Sequence, residues 1–499
     1  MSESVVLHLG VGSFHRAHQA AYLQQLTEAG HGGWSIIGAN VRPDNEAVIA
    51  ALAAQHCRYV LETVSPAGEC SYRRVASIGR VIPWEPTLAT VIEIGAAPST
   101  RIVSFTVTEA GYLLGADGRL DWRIADLVAD RDRIRAGRAG GREGMAGGDA
   151  AIAGDDAAKA GDDAAITGGA AGMTIYGAIA AILRQRQRRV SGPVTLLCCD
   201  NVRHNGAAFR QSLLAFLEQC NDPELVEWTR DHTSCPDAMV DRITPRPPAD
   251  LRDRVRAATG IDDAAPVRAE SFIQWVIEDR FVNGRPPWEA CGVELVDDVG
   301  PYEEAKIRIL NASHSGIAWS GTLIGLEFIH EGIARPAIRR LVHDYVTDDV
   351  IPCLAGADPG PVDLHRYRDV VFERFGNAAI RDTNQRVAAD GFAKIPGFIA
   401  PTVATRLARG QSIDSAAMLP AVFLAFLERW HRNALPWRYQ DQAMDPAQAR
   451  AICEAGDPVA ALCAPPGLWR ECAGDSRLVD AVRRARNRVD ALIAAETRR

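Results

Sequence analysis

Lys306, Asn311 and His314 lie in the stretch KIRILNASHSG. An amine, a carboxamide and an imidazole at this spacing can do acid–base chemistry on an oxygen. The apolar Ile307, Ile309 and Leu310 among them predict a helix. At about 100° per residue, Asn311 falls roughly 140° and His314 roughly 80° round from Lys306, so all three share one side. The amine would accept a proton, the carboxamide would donate to a developing oxyanion, and the imidazole would orient the reactant. Such a set suits oxidation of an alcohol to a carbonyl without a metal. The same residues would also fit a helix whose lysine snorkels and whose Asn and His satisfy core hydrogen bonds. The rest of the chain has to decide between the two.

The positioning elements are readable upstream. Residues 4–12 read as a buried strand entering a glycine turn, and FHRAHQAAYLQQLTEAG reads as a helix with a glycine at its end. In LGVGSFHRAH, residues 9–18, Gly10 would make the turn and Gly12 would let backbone N–H groups approach a pyrophosphate. Phe14 and Arg16 complete the candidate cofactor-binding set, while His15 stands where the third glycine of GxGxxG would be. GWSIIGANV, residues 33–41, is a second strand ending at Asn40. Beyond it, Asp44 could reach a ribose, whereas Arg42 could attract a 2′-phosphate; NAD is the preferred cofactor. RIVSFTVTEAGY and VTLLCCDN contain further strands, and their alternation with helices predicts a largely parallel sheet.

Polar clusters follow these strands, at the sheet edge where ligands bind. CDNVRHNG, residues 199–206, offers Asn201 as another oxyanion donor, though a turn role fits it too. VDRITPRP carries Asp241 and Arg242, as an ion pair or as part of a cleft wall. In RVAADGFAK, Arg386 and Lys394 bracket an Asp-Gly turn, and each could donate to a polyol hydroxyl.

The chain has 499 residues, a length that favours two large domains. From Pro301 the pattern is almost wholly helical, so a second domain is expected to begin near Asp297–Tyr302, with the Lys306 helix at the junction. Net charge is −8, with no long basic run, which argues against a nucleic-acid or anionic-membrane partner. RQRQRR at 184–189 follows the apolar YGAIAAIL and reads as a solvated helix end. No signal peptide or membrane-spanning run is read, and eleven scattered cysteines lack a CxxC pair, with Cys198 and Cys199 placed in the core. A reduced cytoplasmic protein with no metal site is expected. Residues 136–172 are mostly Ala, Gly and Asp, with GDDAA at 154–158 repeated at 161–165, and read as a mobile insertion.

Taken in order, GVGSFHRAHQ, TVTEAGY, CDNVRHNG, DRITPRP, KIRILNASHSG and RVAADGFAK resemble the long-chain polyol dehydrogenases of the mannitol dehydrogenase family. The resemblance covers nearly all of the chain outside 136–172. The wording of CDNVRHNG, ESFIQWVIE and PYEEAKIRILNASHS is most similar to the branch acting on D-arabinitol. The resemblance implies an α/β fold: a Rossmann-type NAD-binding domain at 1–295 and a mainly helical substrate-binding and catalytic domain at 296–499. It further implies metal-independent hydride transfer between a linear polyol and NAD. Lys306 would be the general base, Asn201 and Asn311 would hold the reacting oxygen, and His314 would orient the substrate. Asp241, Arg386 and Lys394 would contact hydroxyls, and Glu109 would help carry the proton to solvent. A monomer is implied. The competing expectations are oxidation of mannitol to fructose and a catalytically silent NAD- or sugar-binding regulator.

The insertion yields the first prediction. Replacing residues 138–170 by a short Gly/Ser linker should leave melting temperature and turnover near those of the intact chain, because loop length alters closure entropy only slowly. A marked fall in melting temperature or substrate affinity would show that the segment packs or covers the site.

Overall fold

The computed structural model describes residues 3–115, 118–139, 172–355 and 360–497. The insertion expected at 136–172 therefore falls, from 140 to 171, outside the described residues.

Six strands form one parallel sheet: β1 (Ser4–Leu9), β2 (Trp34–Ala39), β3 (Ile78–Val81), β4 (Thr100–Phe105), β5 (Val194–Cys198) and β6 (Thr233–Ser234). Their spatial order is β3-β2-β1-β4-β5-β6. This is the doubly wound, dinucleotide-binding order, which reverses direction between β1 and β4 and so opens a crevice at their carboxyl ends. The sequence reason is plain in β1 and β5. SVVLHL and VTLLC are buried at every position, as strands covered on both faces must be. Helices Gln19–Glu28, Ala89–Ala96, Ile175–Arg189 and Asn205–Gln219 supply crossovers. His8, mid-sheet, stays neutral because burial pushes its pKa down to about 3, and its Nδ1 lies 2.9 Å from Ser104 Oγ.

The helix expected over residues 14–30 is broken. Ser13–Ala17 and Gln19–Glu28 are separate, with His18 at φ −117° between them. Two three-stranded sheets were not anticipated. One joins Tyr59–Val64, Cys70–Val75 and Val267–Glu270; the other joins Ala238–Asp241, Gln274–Glu278 and Glu294–Val296. The second matters for function because it delivers Val240 and Asp241 to the site.

From Gly300 onward the described chain is helical, around one hydrophobic core that runs from Ala305 to Val489. Helix Ala312–Leu323 is central: it packs on Asn384–Ala388 and on Met418–His431, which in turn packs on Ser476–Thr497. Met418 to Leu427 are buried without interruption, as befits a helix enclosed on all sides. Trp319 is fully enclosed and its indole N–H donates to Ala388 O at 3.1 Å. Among the described residues no helix is long and apolar enough to cross a membrane.

Candidate active site

Lys306 does not sit in an α-helix. Residues Lys306–Asn311 form a π-helical turn between Gly300–Ala305 and Ala312–Leu323. Its i→i+5 hydrogen bonding sets Asn311 one turn above Lys306, closer in angle than the roughly 140° of an α-helix. Lys306 is only 7% exposed, and its Nζ donates to Asn201 Oδ1 and to Val240 O, the latter at 2.6 Å. Asn201, Lys306 and Asn311 border one small pocket together with Val240 and Glu303. Asn201 and Asn311 also line a larger cleft of about 560 Å³, whose wall includes Glu109, His314, Arg386 and Lys394. The fold thus brings seven of the sequence-predicted residues to one continuous depression.

The charges there are tuned mainly by burial. Burial lowers the Lys306 pKa, Asp241 opposes this, Arg374 lowers it further, and Glu303 and Glu109 pull it back up. Lys394 is pushed down to about 8 by burial, opposed by Asp390 and assisted by Arg386; its Nζ donates to Val387 O at 2.7 Å. Burial raises Glu303 to about 7, although the His204 backbone N–H, 3.1 Å away, favours its ionised form. Burial and Asp390 raise Glu109, against the pull of Lys394 and Lys306.

The candidate side chains have identifiable supports. Asp200 accepts from the backbone N–H of Val107 and Thr108, at 3.2 and 2.9 Å, and so ties the Glu109 loop to the Asn201 loop. Thr108 pays for this with φ +64° and ψ 166°, a region almost reserved for glycine. His314 Nε2 lies 3.1 Å from Asp382 Oδ2, and the ring stacks on Phe375 with centroids 4.7 Å apart. Burial lowers the His314 pKa while Asp382 opposes. Asp382 also accepts from Arg386 at 2.7 and 2.6 Å, so one carboxylate sets two cleft residues. Asp241, expected to contact a hydroxyl, accepts from Arg374 on both oxygens, at 2.7 and 2.9 Å. Each oxygen keeps a further lone pair.

Asp200, Glu303, Arg374 and Asp382 adjoin the candidate residues but are absent from the sequence-based set. Asp200 and Glu303 adjoin the motifs already noted, in CDN and PYEEAK. Arg374 and Asp382 carry no local signal.

The expected cofactor-binding residues lie at and beyond the carboxyl end of β1. Gly10 has φ +109°, and a Cβ there would stand 2.2 Å from Thr106 O, so only glycine lets β1 turn beside the end of β4. Nothing lies within 4 Å of a Cβ at Gly12, which leaves the backbone open for close approach. Val11 N–H donates to Asn40 Oδ1 at 2.9 Å, and Asn40 Nδ2 donates to Asp44 O at 2.8 Å, which fixes the loop carrying the exposed Asp44. Phe14 is half-buried and stacks on His18 with centroids 5.0 Å apart. Arg16 is 2% exposed, donates to Ala265 O and lies 5.4 Å over the Tyr59 ring, so its side chain fills the interior. Its position on the short Ser13–Ala17 helix turns it inward, where a carbonyl and a ring face offset its burial. Arg42 pairs with Asp126 at 2.9 Å.

Among the described residues no group of three or more His, Cys, Asp or Glu could hold a metal ion. The chain matches two family models, the mannitol dehydrogenase Rossmann domain over residues 4–290 and the mannitol dehydrogenase C-terminal domain over 298–490. A D-arabinitol 4-dehydrogenase of Ralstonia nicotianae is 54% identical over 493 residues, covering 98% of this chain and 97% of that protein. One from Klebsiella pneumoniae is 47% identical over 470 residues, covering 94% of each. Among solved structures, the Pseudomonas fluorescens mannitol 2-dehydrogenase ternary complex with NAD and D-mannitol superimposes with a TM-score of 0.80 at 32% identity, covering 100% of this chain and 94% of that one. The fold and site define a dehydrogenase that works with a nicotinamide cofactor. The chain belongs to the mannitol dehydrogenase family and is a polyol dehydrogenase.

The shared carboxylate gives a prediction. Asp382→Asn should raise KM for the polyol about tenfold or more, the scale of one charge-assisted hydrogen bond, with a smaller loss in kcat and unchanged cofactor affinity. A KM within twofold of the parent would remove Asp382 from substrate positioning.

Proposed function

We propose that this chain oxidises D-arabinitol at C4 to D-xylulose with NAD, and that Lys306 is the general base. One observation carries the reading: Lys306 Nζ already donates to Asn201 Oδ1 and Val240 O. A neutral amine has two N–H bonds, and both are spent on these acceptors. Its lone pair is left for the pocket bordered by Asn201 and Asn311. A free lysine, with pKa about 10.4, would be protonated near neutrality and must fall by roughly 2–3 units to serve. Burial acts in that direction.

Asn201, with its oxygen on Lys306, presents its amide N–H groups to the reacting oxygen, and Asn311 does the same from the next turn of the π-helix. NAD, when bound, supplies the acceptor for the carbinol hydride. The hydroxyl proton passes to Lys306 as the carbonyl forms, and the two carboxamides stabilise charge on oxygen. His314, Arg386 and Lys394 pair the remaining hydroxyls along the cleft, and Asp241 accepts from one through the lone pairs Arg374 leaves. Glu109 relays the proton towards solvent. Gly10, Gly12, Phe14 and Asp44 form the cofactor side. We place the domain division at 295/296.

The sugar is inferred from kinship. The two D-arabinitol 4-dehydrogenases at 54% and 47% identity support a pentitol. Mannitol is the second reading, favoured by the D-mannitol complex at 32% identity. NAD is supported by the same complex.

Lys306→Ala should lower kcat by about 10²–10⁴, the usual contribution of a positioned general base, while NAD affinity stays near that of the parent. Near-parental turnover would exclude the lysine. Comparing kcat/KM for D-arabinitol, D-mannitol, D-sorbitol and xylitol with NAD and NADP tests the substrate. Arabinitol should lead. A ratio favouring mannitol by about tenfold, or about 1.4 kcal/mol in transition-state binding, would replace the sugar and keep the mechanism.

A further inference from the structure

Arg374 closes helix Leu364–Phe375 and is 4% exposed. Its guanidinium crosses the domain junction. Beyond its two bonds to Asp241, it donates to Glu270 from Nε at 3.0 Å and from a terminal nitrogen at 2.7 Å. Its face covers the Phe272 ring at 4.0 Å. Asp241 ends strand Ala238–Asp241, next to Val240, whose carbonyl accepts from Lys306. Glu270 ends strand Val267–Glu270 and accepts from Ile243 N–H at 2.6 Å. Arg242 donates to Glu270 O and Ala17 O, carrying the network to the first helix of the cofactor domain.

We propose that Arg374 is a positioning residue of this active centre, acting through Asp241: from the helical domain it clamps two strand ends of the cofactor domain and holds Val240 and Asp241 against Lys306. The proposal rests on the reading of Lys306 as the base. A planar fork that keeps its charge is suited to bridge two carboxylates, which a lysine's point charge is not. A simple latch would need one acid; two acids on separate strands make a clamp.

The electrostatics agree. Burial pushes the Asp241 carboxyl up, and Arg374 more than offsets this, so it stays ionised. The charges facing Lys306 are Asp241, Arg374, Glu303 and Glu109. His18 nearby is neutral, pushed down to about 3 by burial. Ionised Asp241 makes Lys306 harder to deprotonate, and Arg374 makes it easier. Removing either should therefore move the base in opposite directions.

The test is the pH profile of kcat/KM for polyol oxidation, with NAD binding followed by quenching of protein fluorescence. Arg374→Met should move the acid limb to higher pH by about one pH unit. It should raise polyol KM and leave NAD affinity within about twofold. Asp241→Asn should move the limb to lower pH. Arg374→Lys, which keeps the charge without the fork, should leave the limb near the parent while KM rises. If Arg374→Met does not fold, Arg374→Met/Glu270→Gln, which removes one charge of each sign, is measured instead with the same expected upward shift. An acid limb unmoved by loss of the guanidinium, or moved the same way by both single changes, overturns the proposal. If Lys306→Ala stays active, the base assignment itself has failed; if it is inactive while the Arg374 variants leave the limb in place, only the positioning role has.

Discussion

A primary amine buried in a protein must either be paired or give up its proton, because the interior penalises its charge. Lys306 is held between those outcomes. Two acceptors, Asn201 Oδ1 and Val240 O, fix the amine without neutralising it. Carboxylates at Asp241, Glu303 and Glu109 favour the proton, whereas burial and Arg374 disfavour it. The two acceptors come from the cofactor domain and the lysine from the helical one, so this environment of the amine is assembled only when both domains are in place.

The rest of the site is built around that junction. Asn201 follows β5 at the carboxyl edge of the sheet, Val240 ends a short strand beside it, and the π-helical turn brings Asn311 alongside Lys306. A second π-helical turn, Ile395–Ile399, begins directly after Lys394 and packs against the first. Such turns are costly irregularities that recur at functional sites. Thr108 adds backbone strain where Glu109 is aimed into the cleft. A third π-helical turn, Tyr345–Val350, holds none of the candidate residues, and left-handed residues such as Asn45, Leu88 and Val190 are spread along the chain, while the sheet and the Ala312–Leu323 helix supply the regular scaffold.

Much of this was legible in the sequence, and what was not has physical causes. The buried strands announce themselves by unbroken apolar runs such as SVVLHL, and KIRILNASHSG displays its polar set. The π-turn is invisible because KIRILN would be equally content as an α-helix; packing, not local preference, selects the wider turn. Strands of three or four residues, such as Glu294–Val296 and Ala238–Asp241, are too short for a pattern. The interior placement of the Arg16 side chain has no local signal because its partner, Ala265, lies 249 positions away. Arg374 was silent for the same reason, its bonds to Asp241 spanning 133 positions. Long-range pairing of buried charge has no sequence signature, yet here it joins the two charges that stand beside Lys306.

The most direct test of Lys306 as the base is the pH dependence of single-turnover hydride transfer in the parent and in Lys306→Ala. The parent rate should rise with pH and level off at an apparent pKa well below the roughly 10.4 of free lysine. In Lys306→Ala that bend should vanish, leaving a slow rate that keeps rising with hydroxide. The same bend persisting in the variant would contradict the account and assign the proton to another group, with Lys394 or Glu303 the first to examine.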